Sequence, residues 1–170
     1  GMLLIVDAVT SLAGIELKAD EWGADVIYAG TQKCLSGLPG ISPITFSDAA
    51  VEVIRSRTQK VQSWFLDMNL IMGYWGEGAK RSYHHTAPVN AVYAIHEALI
   101  MLEEEGLEAS VARHKANHLK LAAGLSELGL KLAVAEEWRL PQLNSVLIPE
   151  GMDDALSLIH ISEPTRRRHI

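Results

Sequence analysis

Two short, unbroken apolar runs near the start of the chain, Leu3-Leu4-Ile5-Val6 and Val26-Ile27-Tyr28-Ala29, constrain what it can fold into more than any other feature. Runs of this length without polar alternation belong to strands of a sheet covered on both faces, so Leu3 to Ala8 and Asp25 to Gly30 read as neighbouring strands of an α/β sheet. Lys18 to Trp22 offers a short helical turn between them, ended by Gly23. A third strand, Ser42 to Ser47, follows after Thr31 to Ile41, a stretch broken by Gly37, Pro39 and Gly40. A parallel return needs a dozen or so residues and usually a helix, so the third strand is expected to run antiparallel to the second.

Further along, Ser47-Asp48 caps a helix through about Arg57 that turns Val51 and Ile54 inward. Thr58 to Ala87 reads as a long irregular segment rich in aromatic residues, and connections of that kind are usually functional or interfacial. Pro88 then opens a helix with Val92, Ile95, Leu99 and Leu102 on one stripe, ended at Gly106. A second helix runs from about Leu107 to Leu128, with Gly129 past its end. Lys131 to Val134 and Asn144 to Ile148 read as strands of a new sheet, which places a domain boundary near the second helix.

Composition excludes several classes of partner. Fifteen Lys and Arg against twenty-one Asp and Glu leave a net charge of −6 and no basic footprint for nucleic acid. No apolar run reaches the roughly 18 residues that span a bilayer, so no membrane partner is expected and a cytoplasmic setting fits best. Cys34, the single cysteine, rules out an internal disulfide and reads as a small buried hydrophobe. Both ends look cut. The chain opens directly on a strand, and Leu156 to Arg166 resembles, letter for letter, the peptide encoded by reading into a sequencing adapter, so 156–170 are set aside.

The chemistry gathers on Asp7 and Lys33, which follow the first and second strands. Open α/β sheets bind ligands beyond the carboxyl ends of their strands, where both side chains land. An amine and a carboxylate so placed suit the two ends of a pyridoxal ring: the amine as a Schiff base, the carboxylate holding a proton on the ring nitrogen. Nucleotide sites fail on pattern, because Gly30-Thr31-Gln32-Lys33 lacks the Gly-Lys-Ser/Thr of a phosphate loop. No metal is expected. His84 and His85 are adjacent in extended backbone and so point opposite ways, and His114 and His118, four apart among lysines, read as a solvated face. Tyr83 and Thr86 are spaced so that both hydroxyls can meet one anion, but on the residues alone ordinary turn hydrogen bonding is the preferred explanation.

Val6-Asp7-Ala8-Val9-Thr10-Ser11-Leu12, Gly30-Thr31-Gln32-Lys33, Lys60-Val61-Gln62-Ser63-Trp64 and Tyr83-His84-His85-Thr86-Ala87-Pro88 resemble the class V aminotransferases of the alanine–glyoxylate and serine–pyruvate group. The resemblance covers nearly all of residues 2 to 155. It implies part of the large domain of a fold-type I pyridoxal 5'-phosphate enzyme over 1–115, a mostly parallel sheet with one antiparallel strand, and the start of a smaller C-terminal α+β domain over 116–155. It implies a homodimer with shared active sites, acting on small amino acids and 2-oxo acids. By position, Lys33 resembles the Schiff-base lysine, Asp7 the partner of the pyridine nitrogen, Val9 a residue packing on the ring face and Gln32 a cofactor contact. Tyr83 and Thr86 resemble residues that reach the cofactor phosphate of the neighbouring subunit. The family's phosphate-binding Gly-rich turn and ring-stacking aromatic would precede Gly1, and its substrate-carboxylate arginine would follow Ala155, so the isolated chain is expected to be inactive. The alternatives are a ureidoglycine–glyoxylate aminotransferase, a lyase of the same fold such as a cysteine desulfurase, and an inactive dimerising fragment.

Overall fold

The computed structural model describes residues 1–75 and 82–153, so the adapter-like tail 156–170 and part of the aromatic segment lie outside the described residues. The chain divides into two compact units, Gly1–His114 and Lys115–Ile170.

The first unit is built on a three-stranded sheet of β1 (Ile5–Asp7), β2 (Val26–Tyr28) and β3 (Ile44–Phe46), in that order. β1 and β2 are parallel, with Asp7 opposite Tyr28, and β2 and β3 are antiparallel, with Tyr28 opposite Ile44. The short, Gly- and Pro-broken link after Gly30 therefore reverses the chain as its length demands. The β1–β2 crossover holds no helix, only turns, one of them closed by Trp22 N–H donating to the Lys18 carbonyl and ended at Gly23 with φ +63°. One face of the sheet carries a small core of Ala8, Ile27 and Ala29, backed by Val6, Leu12 and Leu17. The other face differs from the doubly covered sheet expected, since Ile5 stays 62% and Ile44 47% exposed. Continuous apolar runs show that a strand can be buried on both sides, not which elements cover it.

Asp25 ties the edges of this sheet together. Its carboxylate accepts from the Leu4 N–H at 2.8 Å and the Ser47 hydroxyl at 2.7 Å, and both bonds hold it below its ordinary range. The same Ser47 Oγ accepts from the Ala50 N–H and caps α1 (Asp48–Arg55), which buries Ala50 with Val51 and Ile54 half-covered.

The segment expected to be irregular contains a further helix, α2 (Met68–Trp75). Asn69 is its one strongly polar side chain and Gly73 interrupts its pattern, so it shows neither a clear helical period nor a charged face. Its start is nevertheless written at Asp67, whose carboxylate accepts from the Asn69 N–H at 3.0 Å and whose carbonyl accepts from Leu70 and Ile71. α3 (Val89–Glu105) follows Pro88 and stops at Gly106, φ +87°. Its buried line keeps Ile95 and Leu102 of the expected stripe but runs through alanines in place of Val92 and Leu99. Ala98 is buried and Ala94, Ile95 and Leu102 are half-buried, whereas Val92 and Leu99 are about half exposed. Small residues face the interior because they let the helix approach closely.

α4 (Leu107–Glu127) ends at Gly129, φ +76°. In the second unit, the two expected strands pair only as an isolated antiparallel bridge between Leu132 and Val146, with Ala133 N–H donating to Ser145 and Leu147 N–H to Lys131. A 3-10 turn at Glu136–Trp138 and Pro141 lie between them and interrupt any longer ladder. His118 is half-buried and paired at 2.6 Å with Asn144 Oδ1, and in the first unit His114 donates to the Ser110 carbonyl at 2.8 Å, so neither is a solvated residue. Among the described residues no helix is long and apolar enough to cross a membrane.

Candidate functional site

Asp7 closes β1, and the turn that follows is wrapped around its carboxylate. Oδ1 accepts from the Val9 N–H at 2.9 Å, and Oδ2 accepts from the Tyr28 hydroxyl at 3.0 Å. Tyr28 reaches it because parallel pairing sets Asp7 and Tyr28 side by side on one face of the sheet. The bond to Asp7, then partial burial, pushes the Tyr28 phenol above its ordinary range, so it remains a donor. Sequence reading missed Tyr28, whose role follows from the strand register alone.

The Lys33 turn leaves β2 and is pinned at several points. Thr31, 1% exposed, donates its hydroxyl to the Leu38 and Ile41 carbonyls, and its own carbonyl accepts from Gly37 N–H at 2.8 Å. Cys34 Sγ lies 3.4 Å from the Thr10 carbonyl, which fastens this turn to the one after Asp7. Gly30 marks where the two turns meet: a Cβ there would stand 2.8 Å from Gln32 Oε1 and 3.3 Å from Val9 Cγ1. Val9 and Gln32 thus close on Gly30 from two sides, and a side chain there would have to displace the Gln32 amide and press on Val9. Lys33 itself is exposed, and no hydrogen bond or ion pair among the described residues engages its amine. Behind the turn, Cys34, Leu35 and Ser36 face Ala98, Met101 and Arg113 across a cleft of about 340 Å³. Burial pushes the Cys34 thiol up, with Arg113 opposing it, so the thiol is held neutral in keeping with a small apolar residue. Arg113 is in turn paired with Glu105, its Nη2 donating to Oε2 at 2.7 Å.

Tyr83 and Thr86 form a separate group. Their hydroxyls lie 2.8 Å apart and Tyr83 is 74% exposed, so the three-residue spacing does bring both to one point. No hydrogen bond among the described residues links them to Asp7 or Lys33. Beside them, His84 is buried, stacked on Trp64 at 4.0 Å, and donates from Nε2 to the Trp64 carbonyl at 3.1 Å. Its Nδ1 then meets the Nδ1 of His85 at 2.7 Å. This corrects the expectation that the two rings point opposite ways: the backbone here is not a strand, so alternation does not apply.

Placed together, these features make a carboxylate with spare acceptor sites and an unengaged amine beyond the ends of adjacent parallel strands. The hydroxyl pair of Tyr83 and Thr86 stands apart on the surface.

Comparison with known proteins bears on this arrangement. The family model for aminotransferase class V matches residues 1–155. The alanine–glyoxylate aminotransferase of Drosophila melanogaster is 45% identical over 152 residues, covering 88% of this chain and 39% of that protein. The (S)-ureidoglycine–glyoxylate transaminase of Bacillus subtilis is 35% identical over 89% of this chain and 40% of its own length. The crystal structure of an alanine–glyoxylate aminotransferase from Nostoc sp. superposes with a TM-score of 0.89 at 46% identity, covering 96% of this chain and 43% of that one. The chain spans about two fifths of the length of the curated relatives it matches.

Proposed function

The chain belongs to the class V aminotransferase family, and on that premise we propose that the protein carrying it moves an amino group from alanine, serine or a similar donor to glyoxylate or another 2-oxo acid, using pyridoxal 5'-phosphate. The observation that carries this reading is the pairing of Asp7 and Lys33 at the ends of parallel β1 and β2, with their turns fastened together at Cys34 and Gly30. That donor set fits the cofactor: Lys33 has an amine for its aldehyde carbon, and Asp7 has spare acceptor capacity for its ring nitrogen. When bound, the cofactor supplies an electron sink for the pair left on the substrate α-carbon.

The chain's own part is proton transfer and charge holding. Lys33 would take the proton from the substrate α-carbon as general base and return it as general acid. The Asp7 carboxylate would hold the proton on the cofactor's ring nitrogen. Tyr83 and Thr86 reach the phosphate held by a second copy of the chain, and the exposure of Trp64 (56%), Trp75 (65%) and Tyr83 (74%) supports a homodimer with shared sites. Residues 116–155 are read as the start of the smaller domain, and a cytoplasmic location belongs to the same proposal. The Bacillus relative keeps ureidoglycine as a second donor. A desulfurase is disfavoured because Cys34 is held against Thr10 rather than carried on a free loop.

Borohydride reduction of the cofactor-loaded full-length protein, followed by peptide mapping, should place the pyridoxyl label on Lys33. A label on Lys18 or Lys60 overturns the assignment.

A further inference from the structure

We propose that Tyr28 is a positioning residue for this reaction, its hydroxyl holding the Asp7 carboxylate in one orientation toward the cofactor's ring nitrogen; the inference rests on the transamination reading above. A carboxylate has about four acceptor sites. Here each oxygen has one protein donor, the Val9 N–H on Oδ1 at 2.9 Å and the Tyr28 hydroxyl on Oδ2 at 3.0 Å. One donor per oxygen stops rotation about the Cβ–Cγ bond and still leaves acceptor capacity for the ring nitrogen. Without the hydroxyl, Asp7 keeps a single anchor from its own turn, and an exposed carboxylate so held turns freely.

Tyr28 can impose the orientation because it does not depend on that turn. It lies in the central strand, registered with Asp7 on one side and Ile44 on the other, and its carbonyl accepts from Ala8 N–H at 2.9 Å. The ring is half-buried while the hydroxyl reaches the carboxylate, so phenylalanine preserves the packing and removes only the bond. Asp7 in turn holds the phenol above its ordinary range, which keeps the proton on Tyr28 at neutral pH.

The test uses the full-length protein. In Tyr28→Phe, kcat should fall about tenfold, the loss of one hydrogen bond to a charged group, with KM for the amino donor within about twofold. Nitrogen-15 in the ring of bound pyridoxal phosphate should shift toward the unprotonated value. Without added cofactor, carbon-13-labelled tyrosine should show the Tyr28 resonance, identified by its loss in Tyr28→Phe, titrating at lower pH in Asp7→Ala than in the parent. Identical titration in the two proteins would show that the bond does not form and overturns the proposal. Unchanged kcat and ring-nitrogen signal in Tyr28→Phe, or a raised KM at constant kcat, overturns the positioning role even with the bond present. A full-length protein that takes up no pyridoxal phosphate ends both readings, and the tyrosine titration then shows that the Tyr28–Asp7 contact was not the point of failure.

Discussion

At Asp7, charge and hydrogen bonding can be separated by one substitution. Asparagine keeps one acceptor oxygen for the Val9 N–H, and its NH2 donates to the Tyr28 hydroxyl oxygen in place of accepting from it; it carries no charge to hold a proton on the ring, so Asp7→Asn in the full-length protein should lower kcat by about 10²–10³-fold, with a smaller loss of cofactor affinity. Stopped turnover assays beside a pyridoxal phosphate titration measure the two. Lys33→Ala should lower turnover by about 10²–10⁴-fold, the usual contribution of a general base, while leaving substrate binding in place; wild-type turnover in that variant would remove Lys33 from the reaction. Both residues were visible in the sequence because Asp7 ends one apolar run and Lys33 lies in the turn just past the next. Tyr28 was not, because its partner is set by inter-strand register. His84 and His85 were misjudged because alternation was applied where no strand exists.

Among the elements, the junction of β1, β3 and α1 depends on Ser47 and Asp25. Ser47→Ala removes the helix cap and one donor to Asp25, and should cost about 1 kcal/mol in denaturant unfolding at pH 7. Because hydrogen bonds hold Asp25 below its unfolded value of 3.8, they favour the fold above that pH, and the contribution is lost as pH falls through the lower folded value. Ser47→Ala should therefore lose less stability than the parent between pH 5 and pH 2. Thr31 belongs to this scale too: its buried hydroxyl holds the Leu38 and Ile41 carbonyls, so Thr31→Val removes those bonds and should destabilise by about 1 kcal/mol, loosening the Lys33 turn. The cap at Ser47 and the glycine stops at Gly106 and Gly129 are local chemistry and were legible. α2 was not, since an eight-residue helix with Asn69 as its one strongly polar side chain shows no period, and the inner line of α3 combines Ile95 and Leu102 with alanines that a stripe of large residues does not mark.

For the whole molecule, the shared-site reading predicts complementation. A Lys33→Ala chain and a chain doubly substituted at Tyr83→Phe and Thr86→Ala, each weak alone, should on mixing form heterodimers in which one site is intact, recovering up to about a quarter of parental turnover per dimer population. No recovery, with mixed dimers shown by mass, would place all these groups in one subunit's site. Local sequence determined the strand order, the antiparallel third strand, the helix ends and the two residues for the chemistry, because chain length between strands, capping and hydrophobic runs are properties of neighbouring residues. Tertiary structure decided which side chains meet: Tyr28 on Asp7, Cys34 on Thr10, Val9 and Gln32 across Gly30, and His84 between Trp64 and His85. Those contacts depend on register and on the path of irregular backbone, which are set by the packing of segments distant in sequence, and no local pattern encodes them.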